Sequence, residues 1–157
     1  MFKSKILTME HTTISELVSN YNLFLDDFRQ PIDASYYKID KRYRTESWVT
    51  VKNFKEFKET VERNLVKGYW PTLISYDHDL GEEHYKSENQ TLSLLEYYNK
   101  KDRSETGYDC LKWFIKFSYE NKLPFPESLC HSMNPVGSKN IIQLIKAHQT
   151  HLKYNKQ

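Results

Sequence analysis

At 157 residues the chain suits one domain with one core, because two independent halves would each bury too little surface to be stable. Hydrophobic residues make up only 38%, but aromatics at 15% bury large areas per side chain and compensate. Lys and Arg number 23 against 21 Asp and Glu, so no global field draws the chain to a long polyanion or an acidic membrane, and a compact substrate is expected instead.

Cys110 and Cys130 sit in apolar patterns without metal-ligand spacing, which reads as buried thiols in a reducing compartment. The N-terminus has no signal-peptide run, and no stretch approaches the ~20 apolar residues of a membrane span. The expectation is a soluble, cytoplasmic protein.

In chain order, residues 1–20 form an N-terminal extension or short helix, with Ile14, Leu17 and Val18 at helical spacing behind Thr12 or Thr13. Tyr21 to Leu25 is an apolar run that ends abruptly in Asp26 and Asp27, as a buried parallel strand would. The polar stretch from Phe28 to Arg44, with Pro31 and no clear period, is predicted as a loop. Ser47 to Val51 reads as a strand. Asn53 then caps a helix whose apolar face carries Phe54, Phe57, Val61 and Leu65, with Gly68 as its stop.

Pro71 opens a second buried run, Leu73 to Tyr76, which again ends in charge at Asp77, His78 and Asp79. Residues 82–106 are strongly polar, with Leu92, Leu94, Leu95 and Tyr98 at the spacing of a short amphipathic helix, and read as an insertion acting as a lid. Gly107 to Asn121 is a helix bearing Cys110, Leu111, Phe114 and Ile115. Pro124 and Pro126 break the chain before the strand Ser128 to Ser132. A turn at Asn134 to Gly137 leads into a last helix from Ser138 with Ile141, Ile142, Leu144, Ile145 and His148. The domain proper is read as 21–150, with 151–157 as a solvated tail.

Strands alternating with helices predict a parallel sheet covered on both faces and wound in the right-handed, doubly wound manner. About four strands are predicted, near 21–25, 47–51, 72–77 and 128–132. Ligands of such sheets bind beyond the carboxyl ends of the strands, where strand order reverses. The unusual residues fall at three of those ends.

Asp26, Asp27 and Asp77 offer carboxylates of the kind that hold Mg²⁺ or another divalent cation through oxygen. Without a counter-charge they would raise one another's pKa, so the site requires a metal, a bound proton or a guanidinium, and Arg29 is near enough in sequence to be that partner or to grip a phosphate. His78 and His131 stand at two strand ends and could act as base and acid across a phosphodiester. Ser132 and Asn134 precede the final helix, whose free amides would form an anion site. A turn with capped amides at Asp26, hydrogen-bonded structural roles for each histidine and an ordinary loop at Asn134 are the plainer alternatives.

At these residues the chain resembles the cyclic-phosphate processing receiver-like family, a branch related to response-regulator receivers. The matching segments are LFLDDFRQP (23–31), PTLISYDHDLG (71–81), TGYDCLKWF (106–114) and HSMNPVGSKNI (131–141). The resemblance implies a flavodoxin- or receiver-like α/β three-layer sandwich, an acidic pocket at Asp26, Asp27 and Asp77, and added histidines at His78 and His131. Ordinary receivers carry a fifth strand with a phosphoryl-contacting lysine, and this sequence ends in a helix after its fourth strand.

Taken together, the expected function is a phosphoesterase that opens a cyclic phosphate on an RNA end or nucleotide derivative. In that reading His78, His131 and Asp77 are catalytic, Arg29, Asp79, Ser132 and Asn134 bind substrate, and Asp26, Asp27 and Asp77 hold the divalent cation. A receiver accepting a phosphoryl group on Asp77 and a non-catalytic cyclic-nucleotide binder are the competing readings.

Overall fold

The computed structural model describes residues 17–81 and 104–156. Their elements are β1 (Val18–Leu25), α1 (Pro31–Ala34), α2 (Arg42–Thr45), β2 (Val49–Val51), α3 (Phe54–Val66), β3 (Tyr69–Tyr76), α4 (Gly107–Glu120), β4 (Glu127–Cys130) and α5 (Pro135–Tyr154). The strands form one sheet in the order β2-β1-β3-β4, and every pairing is parallel.

Leu23, Phe24 and Leu25 are apolar in succession because β1 is central and covered on both faces. Alternation along the strands sorts the core into two clusters. On one face Leu23, Leu25, Ile74 and Tyr76 meet Phe57 and Val61 of α3, Leu111 and Phe114 of α4, and Ile141 and Ile145 of α5. On the other, Phe24 packs with Ala34 of α1, Tyr43 of α2, Trp48 and Leu129. Tyr43 and Trp48 present ring edges to Phe24 at centroid distances of 6.1 and 5.9 Å, the arrangement that aromatic quadrupoles favour.

The chain steps from β1 to β2 through α1 and α2, then returns over β1 to β3 through α3. A reversal of direction with right-handed crossovers requires the two connections to lie on opposite faces. The switch point is therefore between β1 and β3, the two strands that end in acids.

Four sequence expectations need correction. The stretch 28–44 is not a plain loop, since Pro31 starts α1 at a helix N-terminal position that proline suits and α2 follows. Val18 belongs to β1 rather than to a first helix. β3 begins at Tyr69 and runs through Pro71, which is tolerated because the register with β1 slips beside it, between Tyr21 and Asn22. β4 stops at Cys130, which leaves His131 and Ser132 beyond the strand. The expected lid and the helix around Leu92 to Tyr98 lie outside the described residues. Among the described residues the sheet has four strands, and no helix is long and apolar enough to cross a membrane.

Gly107 opens α4 against the end of β3: its N–H donates to the His78 carbonyl at 2.8 Å, and a Cβ there would fall 1.5 Å from the Asp77 carbonyl oxygen. Gly107→Ala must therefore push α4 off the strand end. The expected cost is about 1–3 kcal/mol, as for other overpacked positions, read as a lower midpoint in urea unfolding. An unchanged midpoint would contradict this packing.

Candidate active site at the carboxyl ends of β1 and β3

Leu25 and Tyr76 are register partners, so Asp26 and Asp77 leave the sheet side by side. The ladder continues past the strands: Asp26 N–H donates to the Val51 carbonyl, Asp77 N–H to that of Leu25 and His131 N–H to that of Tyr76, at 2.9–3.0 Å. These bonds hold all three ends in line.

The Oδ1 of Asp26 accepts the N–H groups of Phe28 and Arg29 at 2.9 and 2.8 Å, which turns the chain back over the pocket. The same turn delivers Arg29. Its Nε donates to Asp26 Oδ2 at 2.8 Å, its Nη2 reaches Asp77 Oδ1 at 3.0 Å and its Nη1 donates to the Tyr37 hydroxyl at 2.7 Å. Tyr37 in turn donates to the His131 carbonyl at 2.8 Å. The guanidinium anticipated as counter-charge is thus the one present.

His131 is fully buried. Its Nε2 lies 3.1 Å from Asp26 Oδ2, its Nδ1 is 2.7 Å from Ser75 Oγ, and that hydroxyl is 2.6 Å from the Tyr43 hydroxyl. The imidazole stacks on Phe24 with centroids 4.1 Å apart.

Burial raises the Asp26 carboxyl, but the His131 bond, the two amides and Arg29 outweigh it and hold Asp26 below the usual carboxylate range. For Asp77, burial and the charge of Asp26 prevail over Arg29, so its pKa is raised. Burial lowers His131 despite the pull of Asp26 and Asp77, which keeps the ring neutral. Two adjacent acids are thereby driven apart, one toward the anion and one toward the acid form.

His78 is half-buried and differently held. Its Nδ1 lies 2.9 Å from Asp79 Oδ1, and Asn134 Nδ2 donates to Asp79 Oδ2 at 3.2 Å. The first turn of α5 packs on the ring so closely that a Cβ on Gly137 would fall 2.3 Å from His78 Cγ.

The expected anion site at the start of α5 is a correction. Pro135 has no N–H, Asn134 Oδ1 accepts from Val136 and Gly137 at 3.1 and 3.0 Å, and the Ser138 N–H bonds the Asn134 carbonyl. The cap has consumed the donors a phosphate would need. Ser132 is buried, and its Oγ accepts the Asn134 N–H at 3.2 Å.

The sequence profile of the cyclic-phosphate processing receiver domain matches residues 21–147. The chain belongs to that family. No curated protein and no solved structure matches it.

In this cyclic-phosphate processing receiver domain one oxygen from each of Asp26, Asp27 and Asp77 lies within 4.8 Å of the others, the spacing of ligands around one ion. Oxygen donors of this charge suit a hard divalent cation, and Asp77 Oδ2 is buried without a hydrogen bond among the described residues. Asp26 fits less well, because both of its oxygens are already engaged.

Tyr37, Tyr43 and Ser75 complete the site and escaped the sequence reading. Ser75 had a signal, as a lone polar residue inside the run Leu73 to Tyr76. The two tyrosines lie in a polar stretch and had none.

The lowered His131 pKa fixes a pH dependence. The unfolded chain takes up a proton near pH 6.5 while the folded ring resists it, so this contribution to stability is complete above 6.5 and is lost as pH falls toward the folded value. The buried His148 acts in the same direction, the raised Asp77 opposes it by adding stability as pH falls toward 3.8, and the stability that Asp26 gives is lost only below its unperturbed value of 3.8. Between pH 6.5 and 5, the His131 share of the unfolding free energy is expected to drop, by at most about 1.4 kcal/mol per pH unit for one proton. His131→Asn should remove that share of the slope, leaving those of His148 and Asp77. Equal slopes in the two proteins would contradict the assignment.

Proposed function

We propose that this domain hydrolyses a cyclic phosphate on an RNA end or nucleotide derivative, opening the ring to a phosphate monoester. The family supplies cyclic-phosphate processing. The observation that carries the hydrolytic reading is the half-buried His78, tied through Nδ1 to Asp79 and through Asp79 to Asn134, directly after a carboxyl driven toward its acid form.

The Nδ1 bond to Asp79 fixes the tautomer that leaves the His78 Nε2 lone pair for a proton, as required of a general base. His78 takes a proton from water as the water oxygen bonds to phosphorus. The ring P–O bond breaks, and the departing alkoxide takes the proton held by Asp77. Arg29 neutralises the non-bridging oxygens, which carry the growing negative charge. A divalent cation at the acidic pocket would supply further charge neutralisation there.

His131 takes a different part from the one its strand-end position implies. A proton donor must have a free position for the leaving group, and both nitrogens of this ring are engaged, Nε2 with Asp26 and Nδ1 with Ser75. It is a positioning residue that orients Asp26, and through Asp26 the guanidinium. Ser132 and Asn134 likewise act by shaping the turn that holds Asp79.

The unpartnered Asp77 Oδ2 at the end of β3 favours a second reading, phosphoryl transfer to that oxygen as in receivers. Incubation with acetyl phosphate and intact-mass measurement tests it: a gain of one phosphate absent in Asp77→Asn would support it, and an unchanged mass would reject it.

For the hydrolytic reading, nucleoside 2′,3′-cyclic monophosphates are the direct probe, assayed with and without Mg²⁺. Turnover is expected, with His78→Ala slower by about 10²–10⁴-fold, the usual worth of a general base. No turnover of any nucleoside 2′,3′-cyclic monophosphate, or turnover indifferent to His78→Ala, would overturn it.

A further inference from the structure

Asp26 has no lone pair to give a metal ion in this conformation. A carboxylate offers about four acceptor positions, and four donors occupy them. The N–H groups of Phe28 and Arg29 take Oδ1, while Arg29 Nε and His131 Nε2 take Oδ2. Asp77 Oδ1 is held by Arg29 Nη2 as well. Asp77 Oδ2, on a side chain 2% exposed, is buried without a hydrogen bond among the described residues.

Of the four groups on Asp26, three cannot leave easily. Two are backbone amides fixed by the turn, and the third is a ring clamped between Phe24 and Ser75. Arg29 is different. Its side chain is 17% exposed, and its remaining partner is the hydroxyl of Tyr37. Withdrawing it would free one acceptor position on Asp26 Oδ2 and one on Asp77 Oδ1 at once, beside Asp27.

We propose that Arg29 is the built-in cation of this pocket, and that a divalent ion engages all three carboxylates only when the guanidinium swings off Asp26 and Asp77. Arg29 and the ion are then alternative occupants of the same oxygens. Electrostatics sets the direction: withdrawing the guanidinium removes one positive charge from beside the acids, so the ion is drawn more strongly to the vacated site. The displaced guanidinium, no longer bound to carboxylates, has its planar donor fork available for phosphate oxygens. The inference concerns cation binding alone and holds whichever phosphate chemistry the domain performs.

Calorimetric titration of Mn²⁺ into the full chain, wild type against Arg29→Gln, tests the exclusion. The variant is expected to bind at least tenfold more tightly, including the case where the wild type shows no binding at all. Equal or weaker binding by the variant, or none by either protein, would overturn the proposal. Because Arg29→Gln leaves three acids less well compensated and could fold poorly, a second measurement uses the wild type alone. The Arg29 Nε–H proton, shifted downfield by its bond to Asp26, is followed by nitrogen-15 NMR as Mg²⁺ is added. Movement of that signal toward the position of solvent-exposed arginines is expected, and a signal that stays in place at saturating Mg²⁺ would reject the exchange.

Discussion

Two carboxylates buried side by side at the ends of β1 and β3 repel each other, and the Arg29 guanidinium between them is what allows both to stay there. The pairing is set by the sheet: register places Asp26 beside Asp77, and the turn that Asp26 itself nucleates brings Arg29 back within 2.8 Å of it. A broken buried pair of this kind leaves an uncompensated charge, a cost of several kcal/mol in other proteins. The compensation is unequal, and the inequality is chemically useful. Asp26, with His131 and two amides added, is held as an anion, whereas Asp77 is pushed toward the acid form.

The second face of the sheet serves this pair. Segment 28–48 could have been a short crossover, yet it supplies Ala34, Tyr43 and Trp48 to enclose Phe24, and Phe24 is the platform on which His131 stacks. Tyr43 and Ser75 then complete a hydrogen-bonded line to the imidazole, and Tyr37 ties Arg29 to the His131 carbonyl. Aromatic packing and acidic chemistry are thus one construction. His78, on the outer side and braced by α5, is separate from it and more open to solvent.

Much of this was legible in the chain because burial on both faces leaves a plain mark. Runs such as Tyr21 to Leu25 and Leu73 to Tyr76, each stopped by acids, announce parallel strands and the end at which ligands bind. Arg29 could be foreseen as a counter-charge from its distance to Asp26. What periodicity could not reveal was the fate of individual polar groups. Nothing local distinguishes His131, sealed under Phe24, from His78, half in water, since the difference arises from residues 24, 43 and 75, distant in sequence. Asn134 had two readings, turn residue or phosphate contact, and its use as a helix cap depends on α5 beginning at Pro135, three residues before the expected start. The helices α1 and α2 are four residues each, too short for any periodic signal.

The central claim is that water, activated at His78, attacks phosphorus and expels a ring oxygen. It is tested most directly by running the reaction on a nucleoside 2′,3′-cyclic monophosphate in ¹⁸O-labelled water and reading product and protein by mass spectrometry. The account predicts a single ring-opened monoester carrying one ¹⁸O on its phosphate, with the protein itself unlabelled. Recovery of intact cyclic phosphate, or label incorporated into the Asp77 carboxyl group through a phosphoryl-enzyme, would contradict it.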